Sequence, residues 1–252
     1  METEISPTTY QLIHNYFNLE LGGKKVKTPY YINPKHKKGE LRSLIGKGTP
    51  SEIIDEVKIW AKIKKFSLND SSEIQIRKFM TEIGIGIDCS GLVSNLLYTE
   101  LSERGINIKK VIRNDFGKDF LHKIYHQIRF LDNLDVETLS HKENSVKIEN
   151  YEDIKTLDML HLAALNSGFH IALVIKTCYN DKHEFEIHYI HSSRWYMPND
   201  GVRIGCIKIQ YPDRDLSYQH WIDNDSAGMN YIRQEYINNK SEGYFFRLKK
   251  LS

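Results

Sequence analysis

The chain has 252 residues, of which 40% are hydrophobic and 27% charged, a composition typical of folded globular proteins and not of disordered ones. Its 35 Lys and Arg residues nearly balance 33 Asp and Glu residues, and the formal net charge of +2 argues against a protein that wraps nucleic acid. Three widely spaced cysteines exclude a disulfide scaffold and a zinc site of the Cys-x-x-Cys kind.

The first half of the sequence predicts helices. Apolar residues recur at helical spacing over residues 8–21, and Gly22-Gly23 ends this pattern. A second helix is expected to begin at Thr49, because Pro50 suits the first helical position and Glu52 suits a capping box. Similar patterns predict helices over 71–83, 88–104 and 118–131.

The second half predicts strands. Short runs rich in β-branched and aromatic residues are separated by turn signals, and they cover 159–165, 170–178, 184–191, 202–210 and 244–248. Helices followed by hairpin-spaced strands indicate an α+β fold with a mainly antiparallel sheet. We expect residues 1–83 to form a helical extension packed on a core of residues 84–252, which carries a helical and acidic insertion at about 105–155.

Two segments have biased charge. Residues 22–48 contain eight Lys or Arg against one Glu, and residues 132–153 contain seven acidic residues against two Lys. Both segments suit solvated loops. Alternatively, the basic segment is an arm that binds an anionic polymer, with Lys35, Lys37 and Lys38 as contacts.

The strongest chemical signal is the hexapeptide Asp-Cys-Ser-Gly-Leu-Val at residues 88–93. It places Cys89 at the start of a predicted helix, where unpaired N–H groups and the helix dipole stabilise a thiolate and lower the thiol pKa. Gly84 and Gly86 allow the preceding backbone to approach closely, and the same N–H groups suit an oxyanion. The pattern predicts a nucleophilic cysteine.

A cysteine nucleophile needs a group that accepts its proton. His170 begins one predicted strand and His191 ends the next, so a hairpin turning at Asn180-Asp181 would bring the two histidines together. This placement suits a general base and the residue that orients it.

Four segments together resemble the NlpC-type family of papain-like cysteine peptidases. They are the hexapeptide at 88–93, Leu-Asp-Met-Leu at 157–160, His-Ile-Ala-Leu-Val-Ile at 170–175 and Tyr-Ile-His at 189–191. The resemblance covers residues 84–97 and 156–192 well. It implies a papain-like NlpC-type fold, in which a cysteine at a helix N-terminus packs against an antiparallel sheet.

The resemblance also implies an activity and a set of site residues. Family members hydrolyse peptide or amide bonds in bacterial cell-wall stem peptides, commonly the γ-D-glutamyl-diaminopimelate bond. Cys89 corresponds to the nucleophile, His170 to the base and His191 to the orienting residue. Asp88 and Ser90 correspond to positions near the pocket for the free amine of the stem peptide.

Arg194 and Trp195 follow His191 directly and are candidate substrate-binding residues. In one interpretation Trp195 forms a pocket wall and Arg194 an anion contact. In the other they form an ordinary aromatic–cation pair on the surface.

The remaining cysteines and histidines are expected to be structural. Cys178 and Cys206 lie in strand-like runs and are expected to have no base nearby, and His161 suits a histidine packed in a sheet. His188 and His191 are three residues apart and would face opposite sides of a strand, so they do not form a metal pair. No metal and no cofactor is expected.

The leading functional hypothesis is a cysteine hydrolase whose partner is a peptide or peptidoglycan fragment. Two alternatives stay open: a thiol-dependent acyltransferase or amidase, and a catalytically silent binding module of the same fold. No nucleic-acid partner is expected. The longest apolar runs are far shorter than the roughly 20 residues of a membrane span, and residues 1–7 lack a secretory signal pattern. We therefore expect cytoplasmic synthesis, followed by action at the cell wall through a non-classical route.

Overall fold

The computed structural model describes residues 3–31, 40–114, 128–164, 168–181, 183–239 and 243–251. The α-helices of this described part are α1 (Pro7–Phe17), α2 (Pro50–Ile63), α3 (Glu73–Glu82), α4 (Cys89–Glu103), α5 (Ile108–Val111), α6 (Val136–Ser140) and α7 (Tyr231–Asn238). The strands are β1 (Thr3–Glu4), β2 (Leu19–Leu21), β3 (Lys24–Val26), β4 (Ser145–Lys147), β5 (Met159–Ala164), β6 (Gly168–Tyr179), β7 (Phe185–Ser193), β8 (Gly201–Ile209), β9 (His220–Ile222) and β10 (Tyr244–Leu248).

Eight of these strands form one antiparallel sheet, which confirms the α+β fold class. Seven lie in the order β4-β10-β5-β6-β7-β8-β9. Strand β1 pairs with the last part of β6, after Leu173, where the pairing of β6 with β5 stops. The long central strands β6, β7 and β8 follow one another as antiparallel neighbours.

Most predicted helices form close to their expected bounds. Thr49 and Glu52 make the reciprocal capping box of α2, Ser72 and Gln75 make that of α3, and Asp88 caps α4. Each cap satisfies N–H groups that have no partner within the helix. Of the helix predicted over 118–131, residues 118–127 lie outside the described residues.

The first helix is shorter than predicted. It ends at Phe17, and Leu19–Leu21 pairs with Lys24–Val26 in a two-stranded hairpin. Leu19 and Leu21 are buried while the residue between them is exposed, which is strand periodicity. The turn uses Gly22-Gly23, both at positive φ, so these glycines close a hairpin and not a helix.

Helix α4 is the central helix of the larger hydrophobic core. Its apolar residues Leu92, Val93, Leu96, Leu97 and Leu101 are all fully buried. The core lies between the sheet and the helices, and α1, α2 and α3 contribute to it as well. A second core covers the other face of the sheet. A side chain at Gly91 would collide with the carbonyl oxygen of Gly46, so this glycine lets α4 start close to the preceding loop.

Several charged residues of the biased segments make internal contacts. Lys47 is buried, Lys24 donates to the carbonyl oxygen of Asn69, and Arg42 pairs with Asp132 of the acidic segment. Lys35, Lys37 and Lys38 lie outside the described residues. Within the described ranges, no helix combines the length and the apolar character that a membrane crossing requires.

Candidate active site

A cleft of about 450 Å³ lies where the N-terminus of α4 meets one end of the central strands. Its walls come from the start of α4, the start of β6, the loop after β7 and the start of α6. Ser192, near the end of β7, donates its hydroxyl to the carbonyl oxygen of Ile87 at 2.7 Å. This bond fixes the end of β7 against the residue that precedes the α4 cap.

Cys89 is the first residue of α4 and lines the cleft together with His170. The backbone N–H groups of Ser90 and Ile171 lie close enough to the Cys89 sulfur to favour its thiolate. Because Ile171 directly follows His170, the start of β6 lies beside the cysteine. The structure thus brings together the predicted nucleophile and the predicted base.

The expected lowering of the Cys89 pKa is not found. Burial is the largest effect and raises the pKa of the thiol to about 12, and the neighbouring Asp88 carboxylate acts in the same direction. Lys47 and the two N–H groups oppose this effect without reversing it. Only 7% of Cys89 is exposed, so desolvation of a thiolate outweighs the helix N-terminus.

Asp88 and Ser90 form a buried polar network beside Cys89. Asp88 Oδ1 accepts from the Gly91 N–H at 2.6 Å and from the Ser90 hydroxyl at 3.1 Å. Lys47 Nζ donates to both side chains, at 3.1 Å to Asp88 and 2.5 Å to Ser90. An internal ammonium group therefore occupies the Asp88 and Ser90 oxygens, a feature that the sequence did not reveal.

The two predicted histidines are in direct contact. His170 Nε2 lies 2.9 Å from His191 Nδ1, and His191 Nε2 lies 2.8 Å from Asp223 Oδ2. His191 and Asp223 are almost completely buried. The three side chains form a hydrogen-bonded row that ends at the cleft.

The Asp223 carboxylate fixes the protonation pattern of this row. It pairs with Arg203 and can only accept, so His191 must donate its Nε2–H and accept at Nδ1. His170 must in turn donate its Nε2–H to His191. The remaining His170 nitrogen, Nδ1, then carries the lone pair that a general base requires.

Asp223 was not found by the sequence analysis. It follows strand β9, a three-residue strand that the pattern did not predict, and nothing local separates it from the other acidic residues. Arg203 Nε donates to Asp223 Oδ1 at 2.7 Å and the Tyr196 hydroxyl donates to Oδ2 at 2.9 Å. These contacts hold the carboxylate in place below His191.

His170 is also held by packing. Its ring centroid lies 4.7 Å from that of Trp195, so Trp195 forms a wall of the cleft. Burial lowers the pKa of His170 well below 6.5, and the nearby His191 and His161 add to this effect. Because the pKa of the Cys89 thiol is raised and that of His170 is lowered, both side chains are neutral in the resting site.

Charged groups of both signs line the cleft. Arg194, Asp135 and Glu137 are exposed there, and the last two belong to the start of α6. Tyr30 also lines it, and burial raises the pKa of its hydroxyl, with Cys89 and Asp88 adding to the rise. Tyr30, Asp135 and Glu137 were not predicted, because they come from loops whose positions depend on tertiary packing.

The other histidines lie elsewhere. His161 packs against the rings of Phe169 and Tyr244, as a sheet histidine does. His188 faces the opposite side of β7 from His191, as the two-residue strand period predicts. The expectation that Cys178 and Cys206 have no base nearby is wrong, since both sulfurs lie within 4.0 Å of His188 Nε2.

In comparisons with known proteins, no family model and no curated sequence matches the chain.

Proposed function

We propose that the protein is a papain-like cysteine hydrolase of the NlpC type that cleaves peptide or amide bonds. The observation that carries this proposal is the arrangement of Cys89, His170, His191 and Asp223 at one cleft. The cysteine begins a helix packed on an antiparallel sheet, and the histidines lie on neighbouring strands. This is the arrangement that the family resemblance implies.

The reaction begins with a neutral thiol. As the sulfur attacks the substrate carbonyl carbon, His170 Nδ1 accepts the thiol proton, and the Asp223–His191 pair stabilises the imidazolium that forms. The carbonyl oxygen gains negative charge in the tetrahedral intermediate. The start of α4 supplies backbone N–H groups and the positive end of a helix dipole at that point.

The second half of the reaction regenerates the enzyme. The carbon–nitrogen bond breaks, His170 returns its proton to the leaving amine, and a thioester remains on Cys89. Water then attacks the thioester, with His170 accepting its proton, and the acid product leaves as the thiol re-forms. No metal or redox step is needed for this sequence.

The charges of the cleft support a short peptide substrate. Asp135 and Glu137 suit a free amine, whereas Arg194 suits a carboxylate. A stem peptide carries both kinds of group near its γ-D-glutamyl-diaminopimelate bond, so peptidoglycan fragments are the substrate that we propose. Lys47 already occupies Asp88 and Ser90, and we therefore assign amine binding to Asp135 and Glu137.

The test is to incubate purified stem-peptide fragments with the protein and to measure the products by mass spectrometry. We expect a cleavage that adds one water and exposes one new amine, and no cleavage by the Cys89→Ala variant. Acyl transfer to an added amine in place of water would identify the thiol-dependent transferase. Binding of the fragments without any Cys89-dependent product would identify a silent binding module.

A further inference from the structure

A second cluster of reactive side chains lies on the sheet, on the face opposite to His191. His188 Nε2 is 3.8 Å from Cys178 Sγ, 4.0 Å from Cys206 Sγ and 3.2 Å from Glu186 Oε2. One ligand atom each from Cys178, Glu186 and His188 lies within 4.8 Å of the others. Such a set of sulfur, nitrogen and oxygen donors is typical of zinc sites.

The strand register explains why three of these donors converge, whereas Cys206 Sγ is not within 4.8 Å of all three. Cys206 is directly opposite His188 across β7 and β8, and Cys178 is directly opposite Glu186 across β6 and β7. Glu186 and His188 are two residues apart on β7 and so share a face. A register shift in β6 between Val174 and Lys176 turns Cys178 to this face.

We propose that Cys178, His188 and Glu186 bind a zinc ion, with a water molecule as the fourth ligand. With ordinary Zn–S and Zn–N distances, tetrahedral ligation separates sulfur and nitrogen donors by about 3.6 Å, and nitrogen and oxygen donors by about 3.3 Å. The 3.8 and 3.2 Å separations from His188 Nε2 to Cys178 Sγ and Glu186 Oε2 need only small side-chain adjustments to meet these values.

The surroundings suit a divalent cation. Lys208 and Asn180 donate to Glu186 Oε1 at 2.8 and 3.0 Å, which orients Oε2 towards His188. One thiolate and one carboxylate contribute two negative charges, which match the charge of Zn²⁺. The Cys178 thiol loses its proton to solvent when the metal binds. His188 is 30% exposed, and this opening gives an ion access to the site.

A disulfide does not account for the two cysteines. Cys178 and Cys206 lie on strands separated by β7 and are offset by two residues along it, which places their Cα atoms more than about 9.6 Å apart, the width of two strand spacings. A disulfide needs Cα atoms closer than about 7 Å. A bound ion would instead connect β6 and β7 through their side chains.

The test uses the Cys89→Ala protein, in which Cys178 and Cys206 are the only thiols. We expect native mass spectrometry to find one zinc ion per chain after zinc is added to chelator-treated protein. Cobalt in the same site should give thiolate-to-cobalt charge-transfer absorption. Cys178→Ser and His188→Gln should each weaken zinc binding about 100-fold or more, whereas His14→Gln, a change at an exposed histidine, should not.

A second measurement needs no substitution of a ligand residue, so it still tests the proposal if those variants fail to fold. Zinc should protect Cys178 from iodoacetamide in the Cys89→Ala protein. A Cys178 thiol that reacts equally fast with and without zinc would overturn the proposal. Zinc binding that survives both ligand substitutions, or cobalt binding without the thiolate band, would overturn it as well.

Discussion

His191 donates its Nε2–H to Asp223 across 2.8 Å, and through this bond a buried carboxylate sets which nitrogen of His170 carries a proton. In the proposed reaction Asp223 is a positioning residue, because it would act on Cys89 only through two imidazole rings. Arg203 and the Tyr196 hydroxyl hold it from the other side. The candidate site is therefore a row of four residues and not the three that the sequence predicted.

Replacing Asp223 with Asn should slow turnover about tenfold or more, which is less than the roughly 10⁴-fold loss seen when the direct orienting residue of a catalytic histidine is changed. Removing a negative charge beside the imidazoles should also move the acidic limb of the kcat/KM profile to lower pH. The profile is measured against that of Asp213→Asn, an exposed carboxylate whose loss should change neither quantity. An Asp223→Asn profile that overlays the native one would assign Asp223 a purely structural role.

Substitutions at His191 should distinguish the effect of its hydrogen bond to His170 from the effect of its side-chain size. Asn or Gln can still accept the His170 N–H and should retain part of the rate, whereas Ala should retain less. Steady-state kinetics on the three variants, with His14→Ala as the control at an exposed histidine, checks this order. Equal activity of the Ala and Asn variants would show that His191 does not orient His170.

Cys89→Ala and His170→Ala should each remove nearly all activity, by about 10³-fold or more, because a nucleophile and its base act as a unit and their effects are strongly non-additive. The double variant should be hardly worse than either single variant. Loss of one sulfur atom should change the free energy of unfolding by only about 1 kcal/mol. Urea unfolding and turnover of the same samples test both points, and additive losses would contradict the coupling.

The raised thiol pKa predicts how Cys89 reacts with iodoacetamide. Well below a pKa of about 12 the thiolate fraction rises about tenfold for each pH unit. The rate of Cys89 alkylation, followed by mass spectrometry of the labelled peptide, should therefore still be rising at pH 9. A rate that levels off near pH 7 would mean that a thiolate–imidazolium pair already exists in the resting protein.

Stability should fall as the solution is acidified below about pH 6.5. His170 binds a proton more weakly in the folded state than in the unfolded state, so the unfolded state binds more protons once the pH drops below the unfolded pKa of about 6.5. Each such group contributes at most about 1.4 kcal/mol per pH unit. Above that pH the titration of His170 leaves the free energy of unfolding unchanged, and below it this free energy falls progressively.

Urea unfolding of the native protein and His170→Gln between pH 7.5 and 5 measures this contribution. The variant should lose less stability on acidification, because it lacks the buried neutral imidazole. His14→Gln should behave like the native protein, since His14 is exposed. The same pH dependence in all three proteins would show that groups other than His170 cause the loss of stability in acid.

The segments of the candidate site were predictable because their signals are local. The cap at Asp88, the helical spacing in α4 and the runs of β-branched and aromatic residues in β6 and β7 are each determined by residues within a few positions of one another. The hairpin between those strands is short, so the meeting of His170 and His191 followed from strand lengths. The end of α1 was mispredicted because three residues are too few to distinguish a strand from a helix turn.

The sequence by itself thus determined the α+β class, the helix that begins at Cys89 and the pairing of two histidines. Only the tertiary structure decided the contacts of Lys47, Asp223 and Cys178. Lys47 and Asp223 arrive from loops distant in the chain, and Cys178 faces His188 because of one register shift in β6. The pKa of Cys89 was also decided only by the tertiary structure, because burial depends on what packs around a residue and not on its neighbours in sequence.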